Sequence, residues 1–382
     1  MDFALTEEQR MVRDMVREFA DREMAPVIPA LERQGKYPEK VVASLAELGI
    51  LGMAIPEEFG GNAFDTVSIA LVMEEIARVC ASTAVTVGVH NAASAAPIAR
   101  FGNREQKSRY LPAMAKGAII GGFALTEPGC GSDAAAVAAR AVRRGDRWIL
   151  NGTKSWITNV KIGGVFVLMA VTDPDAGSHG ISAFLVEPGM PGFSFGKDEP
   201  KMGLRSSTTG MINLVDCEVP AANLLGEEGM GLRVAFSTLD GGRIGIAAQA
   251  VGIARGAFEE ARNYARTRVA FAEPLATFQA IRFMLADMAT EIDAARLLTL
   301  RAASLKDTSP PGADFSREAS MAKLYASEMC NRVAYKAVQI HGGYGYSAEY
   351  NVERFYRDAR VTTIYEGTSE IQRIIIARKL VA

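Results

Sequence analysis

The sequence predicts an α+β protein in three parts: an N-terminal helical domain, a middle antiparallel β domain and a C-terminal four-helix bundle. Three observations lead to this prediction. Apolar residues recur at helical spacing over residues 1–120, and short β-rich runs bounded by turn-forming residues fill residues 121–226. Long helical periodicity then returns over residues 227–382. A chain of 382 residues is long enough for two or three such domains.

The N-terminal domain is expected to hold three or four helices. Thr6 and Gln9 have the spacing of a capping box, which predicts that the first helix begins there. Residues 41–49 and 66–81 continue the helical period, with a glycine-rich loop between them.

The middle domain is predicted from four short runs at residues 148–150, 165–171, 181–186 and 211–215. No helical crossover of a dozen residues separates them, so an antiparallel sheet or barrel is favoured over a parallel nucleotide-binding sheet. The pair Asn151-Gly152 is typical of a hairpin turn.

The C-terminal bundle is predicted from helical periods at residues 247–266, 278–305, 316–339 and 369–380. A Pro-Pro-Gly sequence within residues 306–314 indicates a turn between two of these helices. Long helices joined by short loops usually pack as an up-and-down bundle.

Composition excludes several classes of function. The chain is 49% hydrophobic and 23% charged, and its 42 basic and 44 acidic residues give a net charge of -2, which disfavours nucleic-acid binding. No apolar run approaches a membrane span, and the first residues resemble neither a secretory signal nor a transit peptide. Four widely spaced cysteines fit reduced thiols. We therefore expect a cytoplasmic protein with neither a nucleic-acid nor a membrane partner.

Metal and serine-lysine chemistry are not expected. His90, His179 and His341 lie far apart and in no metal-binding pattern. Ser320 and Lys323 match an SxxK motif, but they lie within a helical segment and lack the other motifs of that enzyme class, so we interpret the match as chance.

Three segments have both a ligand-binding and a structural interpretation. The glycine-rich segment 126–133 could hold an anion or a flavin edge, or could be a plain turn. Trp156, close to the Thr158 hydroxyl, could cover a planar cofactor or be buried in the β core. The glycines in segment 339–346 could admit a pyrophosphate, opposed by Arg268, or could simply end a helix.

Glu366 is the candidate catalytic base. It stands between Tyr365 and Gly367, just before an apolar helix, and a desolvated carboxylate has the raised pKa that a base needs. The structural alternative is that Glu366 only favours the N-terminus of that helix, where Thr368 or Ser369 would be the cap.

Five segments closely resemble the acyl-CoA dehydrogenase family in their order and spacing: TEPGCGSD, WITN, LDGGRIGI, QIHGGYGY and YEGTSEIQRIIIARKL. The resemblance covers nearly the whole chain and is greatest to the short-chain (butyryl-CoA) members. It implies a homotetrameric flavoprotein that passes electrons to electron-transferring flavoprotein. FAD would lie between the β domain and the C-terminal bundle, with its adenosine end at a neighbouring subunit.

The resemblance also implies site residues, motif by motif. Those at the flavin and its diphosphate would be Phe123, Leu125, Thr126, Gly131, Ser132, Trp156, Ile157 and Thr158. Those at the neighbouring subunit's FAD, or at its diphosphate, would be Arg268, Phe271, Gln279, Gln339, Gly342 and Gly343, with Thr368 and Glu370 completing the FAD site. Those at the acyl-CoA would be Ser132, Asp240, Arg243 and Gly367.

In the implied reaction, Glu366 removes the α-proton while a β-hydride passes to flavin N5, which gives a trans-2-enoyl-CoA. Isovaleryl- and long-chain-type members carry the base on the LDGGR helix instead, where this chain offers only Asp240, at a CoA-contact position. This comparison favours straight short or medium acyl chains. Branched short-chain substrates (isobutyryl- or 2-methylbutyryl-CoA) remain an alternative, as does a catalytically silent flavoprotein scaffold. An acyl-CoA oxidase or a DNA-binding relative is disfavoured by chain length and charge.

Overall fold

The computed structural model describes residues 4–310 and 313–381, and its N-terminal part is helical. The predicted capping box is confirmed: Thr6 Oγ1 accepts from the Gln9 N–H at 3.2 Å, and Gln9 Oε1 accepts from the Thr6 N–H at 3.1 Å. The expectation of three or four helices was too low, because helices also form at residues 28–34, 96–101 and 104–115 and because Cys80, which is extended, divides one apolar stretch into two helices. The helices are α1 Glu7–Phe19, α2 Ile28–Gln34, α3 Glu39–Glu47, α4 Thr66–Val79, α5 Ala81–Gly88, α6 Ala96–Phe101 and α7 Arg104–Ala115.

The middle part is one eight-stranded sheet in the order β6-β7-β3-β2-β4-β5-β8, with β1 beside β4. Most neighbouring strands are antiparallel, as predicted, but β1 and β2 each pair with β4 in parallel. The parallel β1–β4 pair is possible because residues 125–162 form a long connection between the two strands. The strands are β1 Ile120–Ala124, β2 Arg140–Arg144, β3 Arg147–Thr158, β4 Gly163–Val171, β5 Ile181–Val186, β6 Phe193–Asp198, β7 Thr209–Pro220 and β8 Leu224–Leu225.

The hairpin predicted at Asn151-Gly152 was wrong. Both residues lie inside β3, where the register with β7 shifts between Leu150 and Gly152. Gly152 has φ +148°, and a Cβ there would lie 2.6 Å from the Cβ of Ala139. Gly152 therefore lies at a β-bulge that Ala139 approaches closely, and glycine is common at such positions as well as in turns.

The C-terminal part is a bundle in which α8 packs on α10, α9 and, from the N-terminal domain, α4. Helix α8 begins at Gly231, sixteen residues before the predicted start at 247, because Gly241, Gly242 and Gly245 do not interrupt it. Helix α9 runs past its predicted end at residue 305 to Thr308, into the predicted turn, and Pro311 and Gly312 of that turn lie outside the described residues. The elements are α8 Gly231–Thr267, β9 Val269–Ala270, β10 Glu273–Pro274, α9 Gln279–Thr308, α10 Ser316–His341, α11 Asn351–Ala359 and α12 Ser369–Val381.

No helix in the described part of the chain is long and apolar enough to cross a membrane.

Candidate active site

The turn before α12 directs Glu366 toward α8. Glu366 has φ +50° and Gly367 has φ +93°, so two successive residues adopt left-handed backbone. The carboxylate then lies against Gly242 on α8, where a Cβ would be only 2.1 Å from Glu366 Oε2. A glycine of the LDGGR segment thus provides the space that Glu366 occupies.

The carboxylate of Glu366 is poorly solvated and unpaired. Its Oε2 is buried and has no hydrogen-bond partner in the described chain. Burial raises the pKa of Glu366 to about 7, and the positive charges of Arg243 and Lys323 partly oppose this rise. A carboxylate with a pKa near neutrality is suited to accept a proton at the pH of the cell.

Two side chains fix the carbonyl groups of this turn. Lys323 Nζ donates to the Gly367 carbonyl at 2.7 Å, and Gln372 Nε2 donates to the same oxygen at 2.9 Å and to the Glu366 carbonyl at 3.2 Å. Lys323 is fully buried, and chiefly because of that burial its pKa falls to about 8. The turn is therefore held by a buried ammonium that also lies near the Glu366 carboxylate.

Sequence reasoning missed Lys323, which it had set aside with the SxxK motif. The available signal was its position on the face of α10 that carries Ala319, Ala322 and Ala326, all of them buried. A lysine on the small apolar face of an amphipathic helix must find a buried acceptor, and here it is the Gly367 carbonyl.

The rest of the turn is anchored to neighbouring helices. Tyr365 donates its hydroxyl to Gln249 Oε1 at 2.9 Å, and Gln249 Nε2 donates to the Ala81 carbonyl at 2.8 Å. Thr368 Oγ1 accepts from the Ile371 N–H at 3.4 Å, so the predicted cap of α12 is present. The presence of this cap does not conflict with Glu366 as the candidate base, because the Glu366 side chain points away from the cap and toward α8.

A cavity of about 230 Å³ opens beside Glu366, between the N-terminal helices and α8. Its inner wall is apolar and includes buried Ala70, Met73 and Val85. An enclosed apolar space of about 150 Å³ is sufficient for a six-carbon ring, so this cavity can receive a short hydrocarbon chain.

Asp240 and Arg243 lie on α8 within one turn of Gly242, and they form an ion pair with each other. Burial is the main reason that the pKa of Asp240 rises and that of Arg243 falls. Arg243 Nε is buried without a partner in the described residues, so the guanidinium retains donor capacity.

The glycine-rich segment is held by a buried ion pair that sequence reasoning also missed. Lys154 Nζ donates to Glu127 Oε1 at 2.7 Å and to the Leu125 carbonyl at 3.1 Å. The Glu127 carboxylate also accepts from the backbone N–H groups of Ala138 and Ala139 at 2.8 and 3.0 Å. The segment is thereby fastened to β3.

This contact brings the first group of predicted site residues to the neighbouring ends of β1 and β3. The Ser155 N–H donates to the Thr126 carbonyl at 2.9 Å, which places the glycine-rich segment next to Trp156. A Cβ on Gly122 would lie 3.2 Å from the Thr158 carbonyl, so β1 approaches β3 there. The residues in this region are Phe123, Leu125, Thr126, Gly131, Ser132, Trp156, Ile157 and Thr158.

A second group of predicted site residues lies at the C-terminal end of α8, away from Glu366. Arg268 follows the last residue of α8, and its guanidinium lies 5.1 Å from the ring centre of Tyr344. At about 1.5 Å per residue, Arg268 is about 38 Å along the helix from Arg243. Arg268 therefore lies far from Arg243 and from the neighbouring Glu366 turn of its own chain. The residues at this end are Arg268, Phe271, Gln279, Gln339, Gly342 and Gly343, whereas Thr368 and Glu370 lie beside Glu366 at the start of α12.

The two groups fit a flavin with a diphosphate. Trp156 keeps 59% of its surface exposed while φ is +59°, so its indole offers an uncovered aromatic face to a planar ring. Phe271 is 92% exposed beside the exposed cation of Arg268, which suits an aromatic base and a pyrophosphate.

Comparison with known proteins identifies the class. Models of the N-terminal, middle and C-terminal domains of acyl-CoA dehydrogenase match residues 6–118, 122–217 and 229–381, so the chain belongs to the acyl-CoA dehydrogenase family. It is a FAD-dependent oxidoreductase acting on the CH–CH group of an acyl-CoA.

Among its relatives is the short-chain specific mitochondrial acyl-CoA dehydrogenase of Mus musculus, which is 48% identical over 376 residues, 98% of this chain and 90% of that protein. Butyryl-CoA dehydrogenase from Megasphaera elsdenii superposes with a TM-score of 0.97 at 42% identity and covers both chains fully. A chain in the structure of the electron transferring flavoprotein of Acidaminococcus fermentans superposes with a TM-score of 0.97 at 47% identity, covering 100% of this chain and 99% of that one.

Proposed function

We propose that this protein dehydrogenates a short-chain acyl-CoA between its α and β carbons, with Glu366 as the catalytic base. The observation that carries the proposal is the unpaired carboxylate of Glu366, whose pKa is raised to about 7, at the wall of a small apolar cavity. An acyl chain lying in the cavity brings its α-carbon to this carboxylate. The thioester α-proton then passes to Glu366.

Polarisation of the thioester carbonyl makes this proton removable. The backbone N–H of Glu366 donates to no acceptor in the described residues. That leaves it free to donate to the thioester oxygen as negative charge develops there. The Lys323 and Gln372 contacts fix the adjacent carbonyls, so the N–H and the carboxylate keep one relative orientation.

FAD supplies the acceptor for the β-hydride when it is bound. Phe123, Leu125, Thr126 and the rest of the group around Trp156 would hold its ring system, with Thr368 and Glu370 beside Glu366. Arg268 would pair with the pyrophosphate of FAD in a neighbouring copy, because it lies about 38 Å along α8 from Arg243, which is close to the base of its own chain. This arrangement requires an oligomer, which we propose is a homotetramer.

We propose electron-transferring flavoprotein as the electron acceptor, supported by the similar chain in the Acidaminococcus fermentans structure. We also propose a cytoplasmic location, since Cys80, Cys130, Cys217 and Cys330 are all buried free thiols. Fractionation of the source cells tests the location.

A branched short-chain substrate is the second candidate. Gly245 lines the cavity, and a Cβ there would meet no atom within 4 Å, so the wall has room for an extra methyl group. One methyl group changes the free energy that discriminates between two substrates by only about 1–3 kcal/mol, so the preferred acyl chain has to be measured.

The test is anaerobic bleaching of the flavin absorbance by straight and branched acyl-CoAs, from butyryl to palmitoyl. We expect rapid bleaching by butyryl-CoA, or by isobutyryl-CoA if the enzyme prefers a branched acyl chain. Glu366→Gln should keep its flavin and bind the thioester without bleaching. Bound flavin that no thioester bleaches would favour a catalytically silent scaffold, and near-normal turnover of Glu366→Gln would refute the base assignment.

A further inference from the structure

Two basic side chains from different helices line the same cavity as Glu366. Arg100 lies near the end of α6 and Lys306 near the end of α9. Both are exposed on their outer side, and neither forms an ion pair within the part of the chain described here. They therefore stand at the open end of the cavity.

The two cations are close enough to interact. Partial desolvation lowers the pKa of Lys306, Asp307 opposes this effect, and the charge of Arg100 lowers the pKa further. Asp307 is already engaged, because its two carboxylate oxygens accept from the N–H groups of Thr66 and Val67 at 2.9 and 3.2 Å. Two like charges thus share one opening while the nearest carboxylate binds the start of α4.

The ammonium of Lys306 also reaches α8 beside the candidate base. A Cβ on Gly241 would lie 3.5 Å from Lys306 Nζ, and the next residue, Gly242, is the one that Glu366 contacts. The cavity therefore runs from an apolar inner wall, past Glu366, to a rim with two unpaired positive charges. A ligand that matches this order has an apolar end, a reactive centre and an anionic end.

We propose that Arg100 and Lys306 bind a phosphate group of the CoA moiety at the mouth of the cavity. This inference rests on the proposed function, which supplies acyl-CoA as the substrate. Phosphate oxygens accept strong charge-assisted hydrogen bonds from guanidinium and ammonium groups. A carboxylate at the far end of the acyl chain is the other anion that an acyl-CoA can carry, but it would lie at the inner wall, beside Ala70, Met73 and Val85.

The experiment compares butyryl-CoA with S-butyryl-pantetheine, which has the same acyl group and thioester but no phosphate. The holoenzyme variants are Arg100→Ala, Lys306→Ala and the charge-preserving Lys306→Arg. Arg104→Ala is the matched control, since Arg104 is an exposed arginine on α7 that does not line the cavity. We expect each alanine variant to raise KM for butyryl-CoA about tenfold with kcat within about twofold. The pantetheine thioester should be unaffected, and Lys306→Arg and Arg104→Ala should behave as wild type.

Three outcomes would overturn the proposal. The first is an unchanged KM for butyryl-CoA, and the second is an equal loss with S-butyryl-pantetheine, which would indicate a general effect on the cavity. The third is a wild-type preference for glutaryl-CoA that the alanine variants abolish without changing KM for butyryl-CoA, because the cations would then bind an acyl carboxylate. Failure of the proposed function looks different: wild type would then not be bleached by either butyryl thioester.

Discussion

Replacing Gly242 with alanine should damage catalysis while leaving the fold intact. The new methyl group would lie 2.1 Å from Glu366 Oε2, against about 3.4 Å for an ordinary contact, so the carboxylate must move by about 1.3 Å. A misplacement of about 1 Å at a reacting group can cost about 10²-fold in rate. We therefore expect kcat for the preferred acyl-CoA to fall between about tenfold and 100-fold, the smaller loss applying if the side chain partly relaxes.

The same substitution should stabilise the helix. Alanine is favoured over glycine inside a helix by about 1 kcal/mol, so Gly242→Ala should not lower the melting temperature unless the displaced carboxylate offsets this gain. Arg233→Ala is the control on the same helix, because Arg233 is exposed and does not line the cavity. The assay is steady-state turnover with both variants, alongside flavin content and thermal melting. Wild-type kcat in Gly242→Ala, or an equal loss in Arg233→Ala, would refute the reasoning.

Three further predictions concern pH, the cofactor and stability. Because the pKa of Glu366 is raised to about 7 and the base must be deprotonated, kcat should fall as pH drops through 7; Lys323→Met should move this transition to higher pH, and a flat profile would contradict the assignment. Arg268→Ala should lose FAD during gel filtration, and unchanged flavin content would count against its role. Lys154→Met leaves the buried Glu127 carboxylate with its two backbone donors but no counter-charge, so it should lower the free energy of unfolding by about 3–5 kcal/mol in denaturant melts, whereas the double variant with Glu127→Gln should recover part of the loss.

Periodicity alone located the three parts of the fold, because the spacing of apolar residues reports directly which face of an element is buried. It failed where a residue type has two structural uses. The predicted helical period began only at residue 247, yet Gly241 and Gly242 lie inside α8, where Lys306 and Glu366 approach them closely. Gly152 suggested a turn, yet it forms a bulge.

The candidate site, too, could be predicted only in part from the sequence. Glu366 could be proposed from its own neighbours in sequence, since the bulky Tyr365 and the small Gly367 indicate a desolvated, tightly turned carboxylate. The groups that hold the site, Lys323 on α10 and Lys154 on β3, could not, because each acts on a backbone carbonyl that is distant in sequence: Gly367 for one and Leu125 for the other. A single sequence does not report such tertiary pairs.

The unbroken length of α8 constrains how this chain can change. Gly242 contacts Glu366 in the first third of the helix, and Arg268 stacks on Tyr344 just past its last residue, so the helix fixes an angle as well as a distance between these contacts. Inserting or deleting one residue between them would turn one end by about 100° relative to the other and shift it by about 1.5 Å. Substitutions along α8 can accumulate, but a change in its length would break one contact or the other.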